Sequence, residues 1–509
     1  MTILSGSVLG TLYRWWTLSA VFGLLRRCWA FVRRTAGESR VFGAMFGPSK
    51  LDGLWSASLF ARALRAVINA LVAVCRWIAK GVRGSAICSW LAPAVASSRI
   101  LKLETLFGLF CCVMFIVPHS YWNNLYAVIA AVAFLALYLL LCGFGKRELF
   151  YPDALGLGLA LFALSCLLSM LFSPDRTDSL RILLFFFAAF LFCWIVAGMC
   201  RTPASLRRLL GFFYVSLLIV CIMGIAQRAL GLVSVNASYT DASLNRGVPG
   251  RIYSSLDNPN NLSGFIQLFL PLAAAYAAGA KRGWQRALLA LGLVFPLAAL
   301  LMTYARAGWL SVMLAAAVFL YCCNKRLIPV LAVLALCCVP FLPASVLTRL
   351  STIGSTRDTS TIHRLDIWTG VTSLLLDKGY WLTGIGLGPN AFKEVYPHYA
   401  VGIARTGAYH SQMLYLELFL EMGVLGFVSF MWAMLKYAGR IGRDIARSTD
   451  RSIRYVLIAV ISTFSALALS SIVEYLWFYQ RLIFAFFLFL GIAVAACNMA
   501  EGEKRLKNE

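Results

Sequence analysis

From Leu103 onward the chain is built from uninterrupted apolar blocks, at about 103–118, 124–143, 154–172, 180–199, 209–230, 262–280, 287–303, 307–323, 327–345, 411–435, 455–473 and 482–499. Crossing a hydrocarbon core takes roughly 20 residues of helix. In lipid every backbone N–H and C=O must be paired within its own segment, and the alternation of barrel strands is absent, so these blocks have to be helices. The expected fold class is all-α: a polytopic membrane protein with about twelve transmembrane helices. Composition agrees, with 61% hydrophobic and 13% charged residues, against roughly 25% charged in a soluble domain.

A formal net charge of +25 raises nucleic acid as a partner, but the placement of the cations argues against it. Lys146–Arg147, Arg201, Arg207 and Arg208, Lys281, Arg282 and Arg286, Lys325–Arg326, the run from Lys436 to Arg454, and the tail residues Lys504, Arg505 and Lys507 occupy one alternate set of loops. The other set is poor in cations or pairs them with acids, as in Asp175-Arg176-Thr177-Asp178. The positive-inside rule puts the first set and both termini in the cytoplasm of a multi-pass protein of the cell (inner) membrane. About 231–261 and 346–410 then lie outside. Connections of that length are functional or disordered, and their Trp, Tyr, Phe and Gly turn signals predict a folded extracytoplasmic loop.

Residues 1–102 differ from the rest. They carry Arg26, Arg27, Arg33, Arg34, Arg62, Arg65, Arg76, Lys80 and other cations against Glu38 and Asp52 alone. Apolar patches between them, Trp15 to Leu25 and Ala66 to Val74, are short and broken by Arg, as in basic amphipathic helices that lie in the headgroup plane. The expected partner is the anionic inner-leaflet lipid. A signal peptide is disfavoured, since Leu25 runs into Arg26-Arg27-Cys28-Trp29 with no small-residue cleavage site. The chain thus divides into this interfacial region (1–102), nine crossings (103–345), the large loop (346–410), and three crossings with a short cytoplasmic tail (411–509). The 15 cysteines fall mostly inside apolar blocks, and no Cys/His grouping has zinc spacing, so no metal or cofactor is expected.

On the expected outer side, polar residues gather into four patches. Arg251 precedes Asp257-Asn258-Pro259-Asn260-Asn261, a turn and helix start in which Asn258 or Asn260 can cap free N–H groups. Thr303-Tyr304-Ala305-Arg306 is a tight turn between two blocks, where an Arg must snorkel to water or meet an anion. His363-Arg364 stands four residues before Trp368, ahead of Gly384, Gly386 and Gly388, whose spacing marks a backbone that approaches something closely. Last comes Tyr409-His410-Ser411-Gln412, leading to Glu417, Glu421, Gly423 and Gly426. Arginines suit phosphate in bidentate fashion, and a His can take a proton near neutral pH. Together they suit a diphosphate substrate and an incoming hydroxyl, with a membrane location favouring a lipid-linked one. A capped turn with solvated or snorkelling arginines is the plain structural alternative.

At these residues the sequence resembles the O-antigen ligase and O-antigen polymerase superfamily, membrane glycosyltransferases of the GT-C type. The family pattern has an Arg before Asn-Pro-Asn (Arg251, Asn258 to Asn260), a Thr-x-x-Arg turn (Thr303 to Arg306) and Arg-x-x-x-Trp (Arg364, Trp368). It continues with Gly-x-Gly and a Phe (Gly384, Gly386, Phe392), then a His ahead of Glu-x-Gly-x-x-Gly (His410, Glu421, Gly423, Gly426). The likeness covers about 105–500. It departs at Ala307, where the family has Gly, and at the His, whose family register falls on Gln412, two residues beyond His410. The resemblance implies a metal-independent transfer of a glycan from undecaprenyl diphosphate to an acceptor hydroxyl outside the membrane, the acceptor being a glycan, a lipid or a cell-wall component. In it Arg251 and Arg306 hold the diphosphate and His410 orients or deprotonates the acceptor, these three forming the catalytic set. Arg364 assists with carrier or sugar, and Trp368, Asn258, Asn260, Gln412 and Glu421 complete the substrate-binding set.

A transporter or flippase of lipid-linked glycan is the rival function, and a non-catalytic scaffold the third. Transport sites lie near mid-span, whereas the polar residues here collect at block ends; in the late blocks the clear charges are Glu417 and Glu421, in the outer third.

Overall fold

The computed structural model describes residues 49–83, 100–233, 250–351, 358–405 and 407–508, with scattered positions before 48 and at 85 and 98. The patch from Trp15 to Leu25 lies almost wholly outside the described residues. Among those described, the chain is helical with no strand. Helices α1 (Lys50–Ala57) and α2 (Leu59–Arg83) precede the bundle, which begins with α3 (Leu103–Ile116), α4 (Leu125–Gly143), α5 (Leu157–Phe172), α6 (Arg176–Met199) and α7 (Pro203–Ala229). It continues with α8 (Pro259–Ala278), α9 (Gly283–Met302), α10 (Arg306–Asn324) and α11 (Ile328–Cys338). Four shorter or oblique helices follow: α12 (Ala344–Ser351), α13 (Thr359–Asp377), α14 (Tyr380–Thr383) and α15 (Pro389–Val395). The last three are α16 (Leu414–Arg447), α17 (Arg451–Ser470) and α18 (Gln480–Asn508).

Among the described residues nine helices are long and apolar enough to cross a bilayer, and α3 and α5 are apolar but shorter. One of the nine, Arg306–Cys337, has 32 residues and cannot be straight. Tyr304 Oη lies 3.0 Å from Ser345 Oγ. A straight helix over that stretch would span about 46 Å, and eight more residues reach back at most about 28 Å. The reversal falls at Asn324, whose backbone is extended (φ −162, ψ 106) and whose side chain accepts from Arg326 N–H. The sequence leads one to expect about twelve crossings; among the described residues nine helices are long enough, and α3, α5 and the α11 leg are the shorter apolar segments beside them.

Local sequence explains where helices start. Asp175 caps α6 through Asp178 N–H, Thr202 and Ser205 form a reciprocal capping box ahead of Pro203 on α7, and Asp450 caps α17. At the centre α18 packs on α6 and is buried along almost its whole apolar length. Arg481, fully buried near its start, donates to Val117 O at 2.6 Å, meeting a carbonyl left open at the end of α3.

The last break is in α16. Gly423 has φ 66 and ψ −167 inside that helix. The carbonyls its kink releases are taken up by Ile385 N–H on Leu420 O (2.7 Å), Gly386 N–H on Glu421 O (3.3 Å) and the Ser169 hydroxyl on Glu421 O (2.5 Å). Broken helix at membrane depth is tolerated when the protein itself satisfies the backbone this way.

α1 and α2 meet at a 49° bend and rest on the opposite end of the bundle from the cluster described below. Trp55 Nε1 donates to Asp153 O at 2.9 Å, Arg65 pairs with Asp153, and Tyr151 Oη donates to Asn69 Oδ1 at 2.7 Å. Three stripes run along α2. Ala61, Ile68, Val72 and Ala79 are buried against the protein; Phe60, Val67, Leu71, Val74 and Ile78 recur on one exposed face; Arg62, Arg76 and Lys80 lie on a third.

Candidate functional site

One end of the bundle gathers segments far apart in the chain: the stretch before α8, the α9–α10 turn, α12, the start of α13, the turn before α16, and the 471–479 connection. Asn258 begins the assembly by capping α8, its Oδ1 accepting from Asn260 N–H at 2.8 Å with Pro259 at the first helical position. That aims the Asn260 side chain inward. Its Oδ1 accepts from Arg251 Nη2 at 2.7 Å, and its Nδ2 lies 3.1 Å from each oxygen of Glu474. Arg251 Nε donates to Thr303 O at 2.7 Å, tying the segment to the α9–α10 turn. From the other side Arg364 Nη2 reaches Glu474 Oε1 at 2.9 Å, while its Nη1 donates to Ser360 Oγ.

A second pair lies beside the first. Arg306, at the start of α10, meets Asp358 at 2.6 Å, with Arg349 at 4.0 Å from the same carboxylate. Asp358 is fully buried and caps α13 through Ser360 N–H. Arg251 feels all of these groups: burial pushes its guanidinium down to about 9, Arg349, Arg364 and Arg306 add to the shift, and Glu474 opposes it. Burial likewise raises the Glu474 carboxyl, even with Arg364 and Arg251 pulling the other way. The Nε of Arg364 is buried with no partner among the described residues. A buried donor left open in this way is uncommon.

The turn before α16 faces this cluster. Glu417 Oε2 accepts from Ser411 N–H at 2.5 Å, and Trp368 Nε1 donates to Ser411 O at 3.0 Å, so α13 and α16 clamp the turn from two sides. His410 is packed against Phe478 and Tyr475, with ring centroids 4.5 and 5.5 Å away. Its Nδ1 accepts from Gln412 N–H at 3.0 Å, which puts the proton of the neutral ring on Nε2. Burial pushes the imidazole down to about 3, Arg364 and His363 adding to the shift. Gln412 itself has φ 56, and its amide nitrogen stands 3.4 Å from His363 Nδ1. Behind His410, Glu421 accepts from Gly388 N–H (3.0 Å) and Tyr475 Oη–H (3.1 Å).

Arg251, Asn260, Arg306, Arg364, Trp368, His410 and Gln412 are thus brought to one end of the molecule. Asn258 shapes the helix start rather than facing the cluster, and both oxygens of Glu421 are engaged by the protein. The close approach marked by the glycines is also to protein. A Cβ on Gly384 would fall 2.2 Å from Glu421 O, and one on Gly386 2.3 Å from Ser173 Oγ. Sequence reasoning missed Glu474, Asp358 and Arg349, and named His363 without a role. A lone acid beside Tyr475 in a short connection carries no spacing signal, and Arg349 reads as one more surface cation until α12 folds back under Tyr304.

Residues 263–431 match the family model described as O-antigen ligase. Over that segment the chain is similar to the family that the motifs resemble, and its apolar helices make it a multi-pass membrane protein. The O-antigen ligase match covers roughly a third of the chain and takes in Arg306, Arg364, Trp368, His410, Gln412 and Glu421. Arg251, Asn258, Asn260 and Glu474 reach the same cluster from outside the matched segment. Comparison with curated proteins gave no match.

Proposed function

We propose that the chain transfers a glycan from an undecaprenyl-diphosphate carrier to an acceptor hydroxyl at the extracytoplasmic face of the cell membrane. The observation that supports this reading is the gathering of guanidiniums. Among the described residues Arg251, Arg306, Arg349 and Arg364 converge around Asp358 and Glu474. Guanidiniums gathered in this way suit a diphosphate diester, and the open Nε of Arg364 offers it a donor.

In the reaction the acceptor oxygen attacks the anomeric carbon of the glycan, and its O–H bond breaks with the proton passing to solvent. The bond from that carbon to the diphosphate breaks, and its electron pair stays on the diphosphate. The arginines stabilise the charge that develops there; fixed donors in a site shielded from water do this at little reorganisation cost. Undecaprenyl diphosphate leaves.

The acceptor is a second lipid-linked repeat in a polymerase, and a lipid core, cell-wall polymer or protein in a ligase. The Lys/Arg bias of the loops favours both termini in the cytoplasm, with α1 and α2 against the anionic inner leaflet.

Membranes from a strain lacking the chain hold donor and acceptor together, so adding back purified protein and measuring joined glycan by mass spectrometry tests the reading. Arg251→Ala and Arg306→Ala should each lower product at least a hundredfold. Turnover near that of the unaltered protein in both variants would sink it.

A further inference from the structure

Beside the arginine cluster lies a cleft that the diphosphate leaves unused. Its walls include the turn before α16, the first turns of α16 and the 471–479 connection, and Tyr409, His410, Glu417, Glu421, Tyr475 and Phe478 are among its lining residues. His410 belongs to both places, since it lines the cleft and its ring feels the charge of Arg364.

The lining excludes most ligands. Glu417 and Glu421 stand one turn apart on α16, both buried, and among the described residues neither is paired with a Lys or Arg. Two carboxyl groups so placed disfavour an anion, so the cleft does not extend the phosphate site. An apolar group would leave the polar lining dry, at a cost for each unmet donor or acceptor. A neutral hydroxyl fits, because it donates and accepts at once, and the cleft offers both partners. The donor is His410. Its Nδ1 accepts from Gln412 N–H, the proton of the neutral ring is therefore on Nε2, and Nε2 has no hydrogen-bond partner among the described residues. The acceptor is Glu417. A carboxylate has about four lone-pair sites. Those of Glu417 meet Ser411 alone, whereas Glu421 is held by Gly388 N–H and by Tyr475 Oη–H. The free space takes about one group the size of a water molecule, so a hydroxyl enters and the ring that bears it stays at the mouth. Tyr409 and Phe478, 48% and 39% exposed, offer aromatic surface for the C–H face of such a ring.

We infer that this cleft is a sugar subsite, in which His410 Nε2–H donates to one hydroxyl of a pyranose and Glu417 accepts from it. The inference rests on the transferase reading above. The glycan carried by the diphosphate presents such a ring, and so does an acceptor glycan; the cleft adjoins the arginine cluster through His410. His410 and Glu417 then recognise the sugar, and the arginines its carrier.

Two variants remove the contacts and keep the turn. In Glu417→Gln the amide oxygen still accepts from Ser411 N–H. In His410→Asn the side-chain oxygen still accepts from the N–H two residues on, as in an Asx turn, and the Nε2–H is gone. The purified full-length protein in nanodiscs is titrated with lipid-linked glycan extracted from the strain lacking the chain, and with undecaprenyl diphosphate, which carries no sugar. If the ring is the donor's, the glycan-bearing lipid should bind about tenfold more weakly to Glu417→Gln and about fivefold more weakly to His410→Asn, the worth of one hydrogen bond each. Undecaprenyl diphosphate should then bind within about twofold of the parent. If the ring is the acceptor's, binding of both lipids stays within about twofold. Membranes from that strain must then be supplied in about tenfold greater amount to half-saturate Glu417→Gln at excess added donor. Either result supports the subsite. Binding and half-saturation all within about twofold of the parent overturn it and leave a water in the cleft. An equal loss for both lipids also overturns it, since the two residues are then part of the scaffold. If both variants match the parent while Arg306→Ala is dead, the transferase reading survives and only the subsite falls. If Arg306→Ala also keeps full turnover, the reading itself has failed.

Discussion

Arg364 combines a held end with an open one. Its Nη2 is fixed on Glu474 at 2.9 Å, while Nε is buried without a partner among the described residues. A lysine could keep the charge but not both directions, since an ammonium is a point donor on a flexible stem. Arg364→Lys should therefore fold normally and still lose at least tenfold in turnover, the kinetics showing a fall in kcat and not merely a rise in KM. Unchanged kinetics would mean that charge alone suffices at this position. The arginines were legible one by one, because an Arg at the end of an apolar block is costly without an anion or water. Their counter-ions were not. Asp358 and Glu474 acquire meaning only when α13 and the 471–479 connection fold against Arg306 and Arg364. His410 was legible as a residue, but the hydrogen bond to its Nδ1, which comes from backbone two residues on, was not.

Helices were the easiest features to read, and breaks inside them the hardest. Apolar runs and caps such as Asn258-Pro259 gave the starts of most crossings to within a few residues. The kink of α16 at Gly423 was not visible, although the glycines on both sides of it were. A Cβ at Gly423 would fall 2.2 Å from Leu382 O, so the kink and the Gly384 loop interlock through bare backbone, and one cannot be inferred without the other. α2 shows how a helix can be legible by face. Val74 lies on its exposed apolar stripe and Arg76 on its basic one, so a helix resting in the headgroup plane should present the first to acyl chains and the second to water. A benzoylphenylalanine photo-crosslinker at position 74 should capture phospholipid in native membranes, and one at position 76 should not. Equal capture, or none at either, would remove α2 from the bilayer surface.

The whole molecule does what no single element can. The apolar helices reverse direction so that residues from 251 to 474 in the sequence meet at one end, while the cationic loops and α1 and α2 occupy the other. The sequence carried this division in its Lys/Arg bias, but not the identity of the acids in the cluster, which depends on six segments closing together. The guanidiniums gathered there suit a diphosphate better than a single phosphate. The measurement that tests this most directly compares binding of an undecaprenyl-diphosphoryl sugar with an undecaprenyl-phosphoryl sugar, which carries one negative charge, to the purified protein in nanodiscs. Each charge-assisted contact contributes about 1.5–3 kcal/mol, and about 1.4 kcal/mol is a factor of ten. The diphosphate-linked ligand should bind at least tenfold tighter, with the difference lost in Arg306→Ala; equal affinity for the two ligands would contradict the account.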